Sequence, residues 1–376
     1  MSEVSRRVPF VDLQAQASAH EKEWRAAVDR VVASGRYIGG KEVTEFEGDF
    51  ARYLGCKFGI GVGSGSEALV LALTALGIRP GDEVATVSET FISTADAICH
   101  VGATPIFVDV SKDSCTMDPE RLAKVMSPRV RAILPVHLYG QPVDFSAIKE
   151  IAEKWNVPIV EDAAQAHGAA FDSVKCGGLG TIACFSFYPS KNLGAFGDGG
   201  FVSTNDGRLA EQIRLLREYG QQQKYVHVLR GFNSRLDALQ AAILRAKLPY
   251  LDGWNDRRRR IAREYEEHLS GVANLTLPKE TPRRHHIYHI YAVRVRQRDR
   301  LAEFLKSHGV ETGIHYPIPV HKQEAYRDVN SADGDLRESD LVSETELSLP
   351  MYPEMSSSDV EFVSGLVEKW CGEHGG

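Results

Sequence analysis

The chain of 376 residues balances 44 Lys and Arg against 51 Asp and Glu, for a net charge of −7, with 43% hydrophobic and 25% charged residues. A chain of this length and make-up suggests about two domains and a core large enough to need no disulfide or metal staples. Its acidity argues against a nucleic-acid protein reliant on an overall basic surface. No run of about 18 uninterrupted apolar residues is available to span a membrane, and the start MSEVSRRVPFVDLQAQ lacks the apolar stretch of a signal peptide.

From about residue 57 to 205, short apolar runs rich in β-branched residues recur: Phe58 to Val62, Glu83 to Val87, Thr104 to Val108, Ala132 to Val136, Val157 to Val160, Ile182 to Phe187 and Phe201 to Ser203. Helix-like stretches such as 66–77 and 145–156 separate them. Strands with little polar alternation, interleaved with amphipathic helices, predict an α/β unit around a mostly parallel seven-stranded sheet covered on both faces. Asp206 to Tyr219 is helical in pattern. Ser234 to Ser270 is a long helical region broken near Pro249, since proline lacks a backbone donor and clashes with the preceding turn. Its run Arg257 to Arg260 reads as a solvated helix face. A β-like segment (290–296), a helix (Arg300 to His308), a polar loop near 329–340 and a closing helix (Ser357 to Cys371) complete the chain. The division expected is a large cofactor-binding domain, 1–250, and a smaller C-terminal α+β domain, 251–376.

Three segments carry the chemistry. In GVGSGSEAL (61–69) a strand turns into a helix, and glycines there let backbone N–H groups crowd around an anion at the positive helix end. Ser64 and Ser66 add hydroxyls. A capped tight turn is the structural alternative, and the segment is one glycine short of a dinucleotide fingerprint. In VPIVEDAAQAHG (157–168) an acidic pair stands at the carboxyl end of a buried strand, where open parallel sheets collect ligands; the alternative is a helix cap. In FSFYPSKNLGAFGDGG (185–200), Lys191 lies between a strand and a loop containing Gly194, Gly197, Gly199 and Gly200. A lysine in a confined, partly desolvated place can lose its proton and attack a carbonyl. An anion cradle, a carboxylate and a nucleophilic lysine together suit pyridoxal phosphate: phosphate in the cradle, Schiff base on the lysine, pyridine nitrogen against the carboxylate.

The sequence resembles the DegT/DnrJ/EryC1/StrS sugar aminotransferases of the fold-type-I aspartate aminotransferase superfamily. The matching motifs are PFVDL (9–13), SGRYIGG (34–40), GSGSEAL (63–69), ETFISTADAI (89–98), EDAAQAHGA (161–169), FSFYPSKNLGAFGDGG (185–200), GFNSRLDALQAA (231–242), GIHYPIPVHKQEAY (313–326) and LSLPMYP (347–353). The resemblance implies that Lys191 holds the cofactor and, once released, moves the proton. It assigns Asp162 to the pyridine nitrogen, Gln165 to the ring hydroxyl and Phe91 to the ring face. It assigns Ser64, Gly65, Ser66 and Ser186 to the phosphate, joined by Asn233 from a neighbouring subunit of a homodimer with shared active sites. His315, Tyr316 and His321 would meet the nucleotide sugar, with Tyr188 and His167 near its pocket. The implied reaction aminates a nucleotide-linked keto-sugar, a dTDP-3-keto-deoxyhexose, with L-glutamate as amino donor. Members acting at the fourth sugar carbon more often show His where Tyr188 stands, and C4 amination is the nearest alternative. From other classes, an NAD-binding oxidoreductase leaves Lys191 and Asp162 without a role, and a non-catalytic sensor of cofactor or sugar nucleotide keeps only the fold.

Some residues invite a different reading. Cys56, Cys99, Cys115, Cys176, Cys184 and Cys371 contain no C-x-x-C pair, signalling neither a zinc knuckle nor a disulfide framework and suggesting a reducing, cytoplasmic setting. His285, His286 and His289 lack acidic or cysteine partners and read as packed or substrate-facing, so no metal site is expected. Tyr288 and Tyr291 read as core.

Overall fold

The computed structural model describes residues 6–329 and 335–374. Its central sheet contains β1 (Phe58–Val62), β2 (Glu83–Val87), β3 (Thr104–Val108), β4 (Val130–Leu134), β5 (Val160–Asp162), β6 (Ile182–Ser186) and β7 (Gly200–Thr204). Across the sheet the order is β1-β7-β6-β5-β4-β2-β3, with β4 and β5 joined by the parallel bridges Ile133–Ile159 and Val136–Asp162. Of the seven, β7 alone runs against its neighbours. Two strand limits shift from the sequence reading. Ile133, Val136 and Ile159 of the expected strands carry bridges, but regular pairing falls at Val130–Leu134 and Val160–Asp162.

Alternate residues of each strand point to opposite faces. Val160, Ile182 and Val202 pack under the helices Gly65–Ala75 and Gly207–Arg217, while Ala183, Phe185 and Phe201 join Phe46 and Phe50 on the other side. Burial on both faces explains why these strands lack polar alternation. Local signals place the helix ends. The carboxylates of Asp118, Asp144 and Asp206 accept from the first-turn nitrogens of Pro119–Val125, Phe145–Trp155 and Gly207–Arg217, each cap worth about 1 kcal/mol. Three helices ahead of the sheet, Leu13–Ala19, Glu21–Ser34 and Lys41–Leu54, stand where no secondary structure was assigned from sequence.

The C-terminal part builds an antiparallel sheet from Leu275–Thr276, Tyr291–Val295 and Glu346–Leu349, packed against Leu251–Leu269, Arg298–Ser307 and Ser357–His374. The chain start joins this layer: Val8 N donates to Gly309 O and Glu311 N to Val8 O, both at 2.9 Å. Pro249 separates Ala238–Lys247 from Leu251–Leu269 by a single 3-10 turn. Of the polar loop expected near 329–340, residues 330–334 lie outside the described residues. From Arg337 the chain is helical, because Asp109 of the distant sheet accepts from Glu338 N at 2.9 Å and Ser339 N at 2.8 Å. The arginine run corrects the expectation of a solvated face. Successive helical residues point about 100° apart, so Arg257 and Arg260 are exposed while Arg258 is buried and donates to the carbonyls of His289 and Met351.

Candidate active site

The carboxyl ends of the parallel strands open onto a cleft of about 510 Å³. Ser64 follows β1, Thr90 and Thr94 follow β2, Asp162 ends β5, Ser186 ends β6, and Lys191 sits in the loop leading to β7; His289, His315 and Tyr316 close it from the C-terminal part.

At the cradle, Ser64 caps the helix Gly65–Ala75, its hydroxyl accepting from Glu67 N at 3.2 Å. Ser66 Oγ lies 2.8 Å from Ser93 Oγ, placing a further hydroxyl beside the helix end. A Cβ on Gly65 would come within 2.6 Å of Ser186 Cβ, and one on Gly200 within 2.2 Å of Ser64 O. Only hydrogen fits at either position, so backbone N–H groups stay open to an anion.

Asp162 is buried, accepts from Thr94 Oγ1 at 2.8 Å and from Ala164 N at 3.1 Å, and among the described residues has no cation within hydrogen-bonding distance. No helix follows it, so it is not a helix cap. Burial pushes its carboxyl above the ordinary range, opposed by those two donors. Lys191 Nζ has no hydrogen-bond partner among the described residues. Burial lowers its pKa to about 8, with Asp162 pulling the other way. A carboxylate lacking its cation and an amine partly deprotonated near neutrality face one space.

Gln165 Oε1 accepts from Tyr139 N at 2.6 Å and its Nε2 donates to Tyr316 Oη at 3.2 Å. Two buried glutamates hold the segment that carries that tyrosine. Glu346 Oε2 accepts from His315 N at 2.6 Å; Glu89 accepts from Tyr316 N at 3.2 Å and from Ser343 Oγ at 2.6 Å. Phe91 and Tyr188 stand exposed at the mouth. Asn233 is exposed in an adjoining hollow that shares Ser64 and Asp198 with the cleft, and it does not itself line the cleft that holds Lys191.

Two expected substrate contacts do not reach the cleft. His167, in the turns that follow β5, is fully buried among Phe50, Phe185 and Phe187. His321 does not line the cleft; its ring is held between Ser88 Oγ at 2.6 Å and Asp340 Oδ1 at 3.2 Å. The cleft wall adds Thr94, which the sequence reading passed over, and His289, read there as packed or substrate-facing; behind the wall stand Glu89 and Glu346, also passed over. Thr94 and Glu89 fall inside the stretch ETFISTADAI, whose acid and hydroxyls were the available signal. His137, Glu161 and Cys176 also lie close together. Glu161, however, already accepts from Gly177 N, Leu179 N and Gly180 N besides facing His137 at 3.0 Å, which leaves its oxygens committed to that turn.

Comparison with known proteins agrees with this geometry. The model of the DegT/DnrJ/EryC1/StrS aminotransferase family matches residues 18–368. A Streptomyces venezuelae protein, dTDP-3-amino-3,4,6-trideoxy-alpha-D-glucose transaminase, is 45% identical over 97% of this chain and 96% of its own. The erythromycin biosynthesis sensory transduction protein EryC1 of Saccharopolyspora erythraea is 46% identical over 95% of this chain and 97% of its own. The crystal structure of S. venezuelae DesV in complex with a ketimine intermediate superposes with a TM-score of 0.95 at 45% identity, covering 97% of this chain and 98% of that one.

Proposed function

The chain belongs to the DegT/DnrJ/EryC1/StrS aminotransferase family, and from that membership we propose that it aminates a dTDP-linked 3-keto-deoxyhexose with L-glutamate as amino donor. Enzymes of this family work with pyridoxal phosphate. That cofactor, when bound, supplies an electron sink on which a C–H proton is lost and an amino group moves.

The observation that carries the reading is the meeting of Lys191, Asp162 and the Ser64–Ser66 cradle in one cleft. Ser64, Gly65, Ser66 and Ser186 bind the phosphate with hydroxyls and open N–H groups. The Asp162 carboxylate receives a protonated pyridine nitrogen, and its pull raises the basicity of its partner. Lys191 Nζ holds the cofactor and, when free, moves a proton. Gln165, held by Tyr139 N and Tyr316 Oη, would meet the ring hydroxyl, and Phe91 would cover the ring face. Tyr188, His315 and Tyr316 meet the sugar. The dTDP-3-keto preference rests on the S. venezuelae relative and on Tyr188 standing three residues before the lysine.

Among the described residues the cleft wall contains no arginine, and its one lysine is Lys191. A sugar diphosphate and a dicarboxylic donor need cationic partners, which argues for charge brought by a second copy of the chain. The segment 219–232 supports this. It carries exposed Lys224 and Arg230 together with Tyr225, 81% exposed, and Phe232, and it ends beside Asn233. We infer a homodimer in which this segment and Asn233 complete the neighbour's site. Sugar-nucleotide substrates and six unpaired cysteines favour a cytoplasmic setting; no helix among the described residues is long and apolar enough to cross a membrane.

The test is release of 2-oxoglutarate from glutamate on addition of the dTDP-keto-sugar, in wild type and in Lys191→Ala. Borohydride should fix the cofactor to the wild-type chain at Lys191 and to no other residue. Turnover in Lys191→Ala equal to wild type overturns the reading.

A further inference from the structure

Behind Lys191 four groups form one hydrogen-bonded chain. Asn255 Nδ2 donates to His167 O, Asn192 Nδ2 to Asn255 Oδ1, and Asn192 Oδ1 faces His289 Nδ1, each step at 2.8 Å. Asn192 and Asn255 are buried, 1% and 3% exposed, so water does not compete for their amides. A Cβ on Gly168, whose φ is +96°, would come within 2.7 Å of Asn255 Nδ2, and glycine there keeps the chain in line.

The far end of this chain sets its polarity. A carbonyl oxygen only accepts, so the Asn255 group on His167 O is the amide N–H, and its own oxygen faces Asn192. Asn192 must then donate to Asn255 and accept from His289. His289 therefore carries its proton on Nδ1. Its surroundings also favour the neutral ring: among the described residues no carboxylate bonds it, Arg258 donates to the His289 carbonyl at 3.2 Å, and the ring lines the cleft that holds Lys191. Burial and these cations hold the imidazole well below its ordinary pKa. The neutral ring with Nδ1 protonated leaves Nε2 an acceptor and nothing else.

We propose that His289 is a fixed-tautomer hydrogen-bond acceptor in the cleft, its Nε2 lone pair receiving an N–H of the amine exchanged at Lys191. The inference rests on the aminotransferase reading above. A lone pair repels carboxylate and phosphate oxygens, which directs the anionic parts of both substrates elsewhere. The donor amine, the freed lysine and the amino-sugar product all offer the N–H that His289 accepts.

Nitrogen-15 NMR of the cofactor-loaded protein, with the His289 signals identified by their loss in His289→Gln, reads which ring nitrogen is protonated. The expected result in wild type is Nδ1–H with Nε2 bare. Asn192→Leu removes the acceptor that fixes the tautomer and is expected to populate Nε2–H, lowering kcat roughly 10- to 100-fold with little change in KM for the nucleotide sugar. Asn255→Leu, farther from the cleft, is expected to yield both tautomers and an intermediate kcat. A wild-type ring protonated on Nε2, or Asn192→Leu with wild-type kcat, overturns the proposal. The wild-type spectrum decides alone should a variant fail to fold. Borohydride trapping at Lys191 does not depend on the His289 tautomer, so a failure here is separable from a failure of the aminotransferase reading.

Discussion

Thr94 donates its hydroxyl hydrogen to Asp162 Oδ2 at 2.8 Å, and Thr90, 2.9 Å from Thr94, therefore donates in turn to Thr94. Two neutral hydroxyls thus point their hydrogens toward a buried carboxylate that, among the described residues, has no hydrogen-bonded cation. They favour its charged form without neutralising it. Thr94→Val keeps the shape and removes the donor. A hydrogen bond to a charged group is worth about 1.5–3 kcal/mol, so cofactor affinity, measured by titration of the cofactor-free protein, is expected to fall roughly 10- to 100-fold.

Lys191 is held near a pKa of about 8 by burial, against 10.5 for an ordinary lysine. The amine form, which attacks a carbonyl, is then about a tenth of the population at pH 7. Capture of pyridoxal phosphate by the cofactor-free protein should accelerate about tenfold per pH unit up to that midpoint and level off above it. Asp162 raises the lysine, so Asp162→Asn should move the midpoint lower. Stopped-flow absorbance between pH 6 and 9 checks both.

Gly65→Ala sets a methyl 2.6 Å from Ser186 Cβ. Overpacking of this kind costs about 1–3 kcal/mol, and here it narrows the cradle. Affinity for pyridoxal phosphate and for inorganic phosphate should both drop tenfold or more. Affinity unchanged in a folded variant would rule out this helix end as the phosphate site.

Glu89 and Glu346 are buried acids whose carboxyls burial raises from 4.5 to about 8. In the unfolded chain each ionises near 4.5, so the folded protein holds extra protons between the two values. Stability is then fully present below pH 4.5 and declines as pH rises toward 8. Glu89→Gln mimics the protonated form. It should match wild type in thermal midpoint at low pH, exceed it near pH 8, and flatten that part of the profile. Scanning calorimetry across the range gives the answer.

A shared site makes a prediction about mixtures. Lys191→Ala and Asn233→Ala chains, each impaired alone, should regain activity when unfolded together and refolded. Half of the dimers then pair unlike chains, and one of the two sites in each is whole, giving about a quarter of wild-type activity. Mixtures no more active than their components would mean that each chain completes its own site.

The strands and their hosts for the site were legible because fully buried strands repeat apolar runs that few other structures require. Lys191, Asp162 and the Ser64–Ser66 turn stood out for the same reason: each puts a polar or flexible residue where a core pattern stops. His167 and His321 show the limit. Both sit in motifs next to site residues, yet the turns after β5 carry one ring into an aromatic cluster of the core, and bonds to Ser88 and Asp340 hold the other off the cleft wall. Thr94, Glu89 and Glu346 escaped notice because their partners are 68, 227 and 31 residues away along the chain. No local period encodes such pairings. The buried Arg258 was hidden by its own neighbours, since a run of four arginines looks alike at every position until a helix assigns each its side.

The antiparallel placement of β7 has a consequence for how such a site can change over time. Ser186 and Gly200 are paired partners across β6 and β7, so the loop bearing Lys191 leaves and re-enters the sheet at adjacent points. Residues gained or lost within that loop would alter the reach of the amine while both ends stay registered against the cradle. The phosphate grip is written in strand register and the lysine in loop length, two properties a lineage can vary independently.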